Sequence, residues 1–384
     1  MVKFIGIGAC GNKAIADLVT NNVIAKKDAL MLNSTKDDIP VDFQDIAVKV
    51  GSGLGGCGKE RSKGKEVFLT AIQKDQLDHL DEFITTADTV YVIASSEGGT
   101  GSGAAPVIAS YYKSVYGIEV HIVVFTGFED DARGLANTIE FFQEIPENTV
   151  VHAISNKKFL AEANGNKLKA EKKANQHLRN MITVLLGSMI VNSDQNIDET
   201  DLFKVVNTPG YSIVETAIIN REIKNHEAFN KLLSDTIDGT KAIDIEDPAC
   251  KRIAFILNIS DKTADAIDFT FDVVKHKLGT PYEIFYHVQN EGDAEYVSMI
   301  ITGMDMPTTE LKEIHKRYLE ATSRVNREVD IFSKVVGSML TDNNEFNVTA
   351  NTSKPKMDKS AFLNGFTETK TNDVVVKKDA FKKF

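Results

Sequence analysis

Three cysteines in 384 residues are too few for a disulfide framework. Being odd in number and without metal-ligand spacing, Cys10, Cys57 and Cys250 read as reduced thiols. Long apolar runs are also missing: none reaches the roughly 18–20 residues a membrane helix needs. The opening MVKFIGIG is a short strand running into a glycine turn, without a signal-peptide cleavage pattern. The expected location is therefore the cytoplasm, with no membrane partner. Positive charge is in deficit, with 44 Lys and Arg against 55 Asp and Glu for a formal charge of −11. That balance argues against a general nucleic-acid surface while leaving room for a local basic patch. The 42% apolar and 26% charged content is that of a globular chain long enough for two domains with cores.

Glycine, by contrast, is concentrated. Residues 95–106 read SSEGGTGSGAAP, between the apolar run TVYVIA and the apolar-periodic VIASYY. This is strand, glycine loop, helix. Gly98, Gly99, Gly101 and Gly103 leave little side chain in the way, so backbone N–H groups converge on an anion at a helix N-terminus, where the helix dipole also favours negative charge. Thr100 and Ser102 add hydroxyl donors. A Gly/Ser linker would not sit so tightly between a buried strand and a helix start, and the context favours phosphate binding.

Two further glycine turns follow the same grammar. Residues 2–7 form an apolar strand, and Gly6-Ile-Gly-Ala-Cys-Gly11 matches GxGxxG before the helical NKAIADLV. The acidic residue that a dinucleotide site places about 20 positions on has no clean strand end here, since Asp37 and Asp38 lie in the polar NSTKDD. The turn is better read as a first phosphate loop, with Asn12 supplying an amide; a purely structural glycine turn is the plainer alternative. Residues 51–60, GSGLGGCGKE, nearly spell a Walker A loop and fail at the last position. Glu60 stands where a Ser or Thr hydroxyl would hold Mg²⁺. A second glycine loop near a terminal phosphate, including Gly55 and Gly56, fits better, with Lys59 or Arg61 as counter-charges.

Helical periodicity over residues 66–83 and a buried strand IEVHIVVFT complete a strand–loop–helix repeat spanning some 150 residues. The expected fold class is α/β: a parallel-sheet nucleotide-binding domain with helices on both faces, a central helix, a second smaller α/β domain and a long C-terminal helix. The domain boundaries expected are 1–174, 175–193 for the central helix, 194–307, 308–340 for the C-terminal helix and 341–384 for a disordered basic tail. Ligands on such sheets bind at the carboxyl ends of strands, where the glycine loops and FTGFEDDAR fall. Glu129 and Arg133 in that segment are candidates for sugar or phosphate contact, against a plain helical ion pair. VVHAIS ends at Asn156, and Asn175 and Gln176 precede a mostly apolar helix over residues 177–191, expected to be buried. In NIDETD, Asp198 and Asp201 share one face of a short helix; taken alone they read as an N-cap and a solvated acidic turn. The strands RIAFILNI, PYEIFYHV and EYVSMIITGM imply a smaller domain with antiparallel pairing. A polar helix with a narrow apolar stripe spans 308–340, and few apolar residues follow. Residues 370–384 carry five Lys against two Asp, a charge of about +3 interleaved with Val and Phe that suits a docking motif.

Taken in this order, the motifs resemble the tubulin/FtsZ superfamily of filament-forming GTPases over about residues 1–310. GGTGSGA at 98–104 looks like that family's signature. GACGN (Gly8, Ala9, Cys10, Gly11, Asn12) is similar to its first phosphate loop, and Glu129 with Arg133 to its Glu-x-x-x-Arg pair. The resemblance implies a ribose-side role for Asn156, purine reading by Asn175 and Gln176, and hydrolysis activated by Asp198 and Asp201. It implies GTP and GDP as ligands with Mg²⁺, and a head-to-tail filament as the self-assembled state. Gln176 departs from the carboxylate usual in bacterial division proteins. The long helix after Met306 and the basic tail resemble the TubZ branch, used in plasmid and phage DNA segregation. There the tail, here with Lys377, Lys378, Phe381, Lys382 and Lys383, is expected to bind an adaptor of the TubR type on centromere-like DNA, without sequence-specific DNA binding by the chain itself. The alternative within the family is a cell-division GTPase of FtsZ type.

The 21 positions from Asn175 to Asn196 span on the order of 25–30 Å along a mostly helical path. Asp198 and Asp201 are thereby expected to act on a neighbouring subunit's nucleotide, through a heterologous contact that repeats into a filament. Three rivals come from other classes. A dehydrogenase lacks a His or Lys constellation for hydride transfer, a monomeric P-loop ATPase is disfavoured by Glu60, and a non-catalytic scaffold by Asp198 and Asp201.

Overall fold

The computed structural model describes residues 1–323 apart from 52, 54, 129–130, 189, 191–196, 220–222, 224, 245–248, 268 and 293. The chain divides into two compact units, one of residues 1–19, 24–147 and from 310 onward, the other of residues 20–23 and 148–309.

The first unit runs β1 (Val2–Ile7), α1 (Gly8–Thr20), β2 (Ala29–Asn33), β3 (Ala47–Lys49), α2 (Arg61–Gln73), α3 (Asp78–Thr85), β4 (Thr89–Ser95), α4 (Thr100–Tyr111), β5 (Glu119–Thr126) and α5 (Ala132–Gln143). Its strands are all parallel, in the order β3-β2-β1-β4-β5. The expected parallel sheet is thus the framework of this unit. Strands β4 and β5 are near-continuous apolar runs, buried along almost their whole length, as parallel strands covered on both faces must be. The single helix expected at 66–83 is two helices, because the chain turns at Asp75, whose φ of 51° is left-handed.

Helix α4 is buried on every side except at Ser110, and small residues make this possible. A Cβ on Gly64 of α2 would lie 2.3 Å from the carbonyl oxygen of Gly99, and one on Gly103 would lie 2.2 Å from that of Arg61. Two helix backbones touch there with no side chain between them. The same device packs α1 under the sheet: a Cβ on Gly11 would fall 2.1 Å from the carbonyl oxygen of Ile93.

The second unit runs β6 (Val150–Ser155), α6 (Asn156–Glu162), α7 (Lys167–Leu185), α8 (Glu199–Val206), β7 (Gly210–Ile219), α9 (His226–Asp238), β8 (Arg252–Asn258), α10 (Asp261–Ala264), α11 (Asp272–Leu278), β9 (Glu283–Gln289) and β10 (Glu295–Met304). The strand order is β6-β7-β10-β8-β9. Antiparallel pairing is present where β10 meets β7 and β8, while β6–β7 and β8–β9 are parallel. Strand β7 was not expected; its GYSIVETAII holds the β-branched residues that would have flagged it. The helices start at side-chain caps: Ser155, Asn166, Asp198 and Asn225 each accept a backbone N–H three residues on, the geometry that favours short oxygen-bearing residues there.

The last described element, α12 (Thr308–Ser323), belongs from residue 310 to the first unit. Its narrow stripe, Leu311, Ile314 and Tyr318, packs on Leu135, Ile139 and the alanines of α5. Residues 324–340 of the expected long helix, and the tail, lie outside the described residues. Among the described residues no helix is long and apolar enough to cross a membrane.

Candidate active site

In the first sheet the chain steps from β1 outward to β2 on one side and later to β4 on the other. This reversal opens a crevice beyond the carboxyl ends of β1 and β4, where doubly wound sheets hold their ligands. Residues 8–12 and 95–103 both sit at that crevice. They are close-packed against each other: a Cβ on Gly8, whose φ of 73° already requires glycine, would lie 3.0 Å from the amide nitrogen of Gly101. A Cβ on Gly101 would lie 2.8 Å from the carbonyl oxygen of Ile7.

The glycines therefore fall into two groups. Gly11, Gly101 and Gly103 are glycine because backbone or strand presses against them. A Cβ at Gly98, Gly55 or Gly56 would meet no atom within 4 Å, so packing does not account for those three. Exposed glycine backbone beside the N-terminus of α4 is what an anion cradle requires. Thr100 opens α4 and is buried, its Oγ1 lying 3.3 Å from Ser34 Oγ. Cys57 Sγ approaches the same Ser34 oxygen at 3.7 Å. A cleft of about 630 Å³ opens here, lined by Ser34, Lys49, Gly55, Gly56, Cys57 and Lys63 among others. Asn12 is fully buried and gives its amide to the carbonyl oxygen of Leu32 at 3.3 Å, while its Oδ1 has no partner. Ser34 follows β2 without any motif, which is why sequence reading missed it. Among the described residues Cys10, Cys57 and Cys250 form no disulfide, and burial pushes the Cys250 thiol up to about 11.

The expected counter-charges are corrected by the structure. Arg61 turns inward: its side chain is 4% exposed, donating to Glu144 at 2.6 Å and to Glu140 at 3.4 Å. Its proximity in sequence to the glycine loop misled because helix α2 begins at Arg61 and its first turn faces α5. Lys59 is paired with Asp131. Asp131 also caps α5 by accepting from the Gly134 amide at 2.9 Å, and Lys59 followed by that amide holds its carboxyl below the usual range. Asn137 of α5 ties the two loops together, its Nδ2 donating to the carbonyl oxygens of Lys59 at 3.0 Å and Glu97 at 2.9 Å. Asp131 precedes α5 as its N-cap and Asn137 lies within it, and neither position signals its long-range partners in the sequence. Arg133 is exposed on the first turn of α5, and Glu129 lies outside the described residues.

The Arg61 cluster gives a pH expectation. Burial alone would raise the Glu144 carboxyl, but Arg61 and Lys65 outweigh it and hold it below the ordinary 4.5. A carboxyl lowered on folding adds stability above its unfolded value and loses it as pH falls through the folded one. Glu144→Gln should therefore cost about 1–2 kcal/mol near neutral pH, and the melting-temperature gap to wild type should close below pH 4.5. A gap that persisted into acid would mean the carboxylate charge contributes nothing.

In the second unit, Asn156 opens α6, and its Oδ1 is buried without a partner. Asn175 and Gln176 lie well inside α7, not ahead of it, since the helix begins at Lys167 under the Asn166 cap. The helix is not apolar all round. Ala170, Ala174, Leu178 and Met181 form its buried stripe, while Gln176 and Asn180 are exposed. From Asn175 the helix carries the chain ten residues to Leu185, about 15 Å, and most of the remaining path to Asn196 lies outside the described residues. Asp198 is the exposed N-cap of α8, its Oδ1 accepting from the Asp201 amide at 2.7 Å. The capping role that the motif carries on its own is present.

Residues 1–164 match the sequence model of the Tubulin/FtsZ family, GTPase domain. Residues 1–164 are a tubulin/FtsZ GTPase domain. This tubulin/FtsZ domain and the unit that follows it share a fold with solved structures of several branches. TubZ of Clostridium botulinum phage c-st, truncated at its C-terminal tail, superposes on 84% of this chain and 98% of its own, with 18% identity and a TM-score of 0.67. CetZ2 of Haloferax volcanii, solved as a GTPγS-bound protofilament, covers 84% and 98% at 18% identity and 0.65. FtsZ of M. jannaschii covers 79% and 88% at 21% identity and 0.62. At these identities the likeness is one of fold, and it separates the tubulin/FtsZ branches from one another very little.

Proposed function

We propose that this GTPase polymerises head to tail, and that each subunit sets Asp198 and Asp201 against the GTP held by its neighbour. The observation that carries the reading is the exposed acidic turn on α8. Asp198, Glu199 and Thr200 are all exposed, and Phe203, four residues along an eight-residue helix, is 50% exposed. The acidic cap and the uncovered Phe203 leave this face of α8 open to a partner. The protofilament form of CetZ2 supports a second copy as that partner. The open backbone at Gly98, Gly55 and Gly56 with Thr100 and the unpartnered Asn12 oxygen suits a polyphosphate, and Arg133, Asn156, Asn175 and Gln176 are assigned to the sugar and base. Among the described residues no group of three or more His, Cys, Asp or Glu could hold a metal ion. Mg²⁺ is therefore assigned to the nucleotide phosphates, where it would offset charge developing on them. The two aspartates would orient the attacking water. The cytoplasm is the assigned location.

The tail is assigned to an adaptor of the TubR type on DNA, through Lys377, Lys378, Phe381, Lys382 and Lys383, which lie outside the described residues. The support is compositional: about +3 over residues 370–384 in a chain of −11. The deciding experiment follows GTP turnover per subunit against protein concentration, with pelleting alongside. Turnover should rise steeply above a threshold together with GTP-dependent pelleting; constant turnover without pelleting would refute the shared site. Deleting residues 370–384 should spare turnover and abolish binding to the adaptor, and a tail-less chain that still bound it would refute the tail's role.

A further inference from the structure

Helix α8 is too short to hold its own direction. Eight residues are marginal as an isolated helix, so tertiary contacts must fix the axis. Val205 and Val206 bury its last turn. Apolar contact is non-directional, however, and sets depth better than aim. Aim comes from a closed ring of polar contacts at the C-terminal end. Lys204 Nζ donates to Glu283 Oε1, and Arg252 Nε donates to Glu283 Oε2 at 2.6 Å. Arg252 Nη1 donates to Thr208 Oγ1 at 2.9 Å, and that hydroxyl donates to the Lys204 carbonyl oxygen at 2.8 Å. The ring returns to the residue where it began. It joins α8 to β8 through Arg252 and to β9 through Glu283, and the Lys204 ammonium lies 5.8 Å from the Phe285 ring centroid on the same strand. Glu283 is its only anion, accepting from both cations at once.

We propose that Glu283 is a positioning residue for GTP hydrolysis: by clamping Lys204 and Arg252 it fixes the axis of α8, and so aims the Asp198–Asp201 turn at the neighbouring subunit's nucleotide. This rests on the reading that those aspartates act across the filament contact. The eight residues of α8 span about 12 Å, so a tilt of about 10° at the clamped end displaces its Asp198 end by about 2 Å. Displacements of about 1 Å are enough to cost up to 10²-fold in rate. The clamp sits on the strands of the second unit, so its loss should appear in turnover and not in nucleotide affinity.

The test uses the full chain. Glu283→Gln places an amide donor against one of two cations and opens the ring. Its maximal GTP turnover should fall about tenfold, with affinity for a fluorescent GTP analogue within about twofold of wild type. Thr208→Val, which opens the ring without changing charge, should shift turnover the same way by less. Mixing separates positioning from folding damage. Glu283→Gln keeps an intact glycine cradle, and Gly98→Glu, which puts a carboxylate into open space, keeps an intact α8. At a 1:1 ratio about one head-to-tail contact in four pairs the sound α8 with the sound cradle, so turnover should recover to about a quarter of wild type. Wild-type turnover in Glu283→Gln, with Asp198→Asn impaired, would overturn the clamp alone. Loss of analogue affinity in parallel with turnover, without recovery on mixing, would also overturn it. Wild-type turnover in both Asp198→Asn and Asp201→Asn would remove the underlying reading and the clamp with it.

Discussion

Gly103→Val is expected to abolish cooperative folding of the GTPase unit. The added Cβ would stand 2.2 Å from the Arg61 carbonyl oxygen and 2.6 Å from the Lys65 amide nitrogen. Both are backbone atoms of a helix, with no flexible end to swing away. Overpacking costs about 1–3 kcal/mol where side chains can yield, and more where they cannot. A whole domain holds only about 5–15 kcal/mol. Valine also adds its β-branch inside a helix with no free face. Gly98→Ala is the control: its methyl meets nothing, so the melting temperature should hold while GTP affinity falls. Circular dichroism melts and analogue titration read both. A Gly103→Val protein melting within a few degrees of wild type would show that α2 and α4 separate freely, and the packing account of that glycine would fail.

Asp198→Asn should lower assembled-state GTP turnover by about 10²-fold or more, the scale on which positioned carboxylates contribute. Asparagine caps a helix about as well as aspartate, whereas alanine forfeits about 1 kcal/mol. The cap on the Asp201 amide should therefore survive in the asparagine variant, which separates chemistry from stability. Asp198→Asn should melt like wild type, bind nucleotide and pellet with GTP while turning over slowly; Asp198→Ala should add a lower melting temperature to the same defect. Turnover in Asp198→Asn equal to wild type would reduce Asp198 to a cap.

Strong periodicity with tight punctuation was legible. The runs VKFIGI and TVYVIA, each closed by glycines, led directly to β1, β4 and the crevice between them. The fate of individual charges was not. Arg61 and Lys59 stand beside a glycine loop in sequence, yet α2 turns Arg61 toward Glu140 and Glu144, and a lysine reaches whichever carboxylate its stem allows. Long-range partners of this kind depend on helix rotation, which a local pattern does not encode. Asn137 was invisible for the same reason: an asparagine in mid-helix is ordinary until the fold brings two loop carbonyls to it. The start of α7 was missed because EKKAN reads as polar loop unless Ala170 and Ala174 are seen as the buried stripe.

The docking of α12 on α5 bears on how the protein is made. Leu135 and Ile139 pack with Ile314 and Tyr318, and between Gln143, where α5 ends, and Thr308, where α12 begins, lie 164 residues. At about 5–20 residues per second that is roughly 10–30 s of synthesis. During this interval the nascent GTPase unit carries a sticky stripe, and the whole second unit leaves the ribosome before the first is sealed. A chaperone that recognises exposed leucine and isoleucine has its longest opportunity there, and a ribosome stalled before residue 308 would release a chain whose first unit is open on that side.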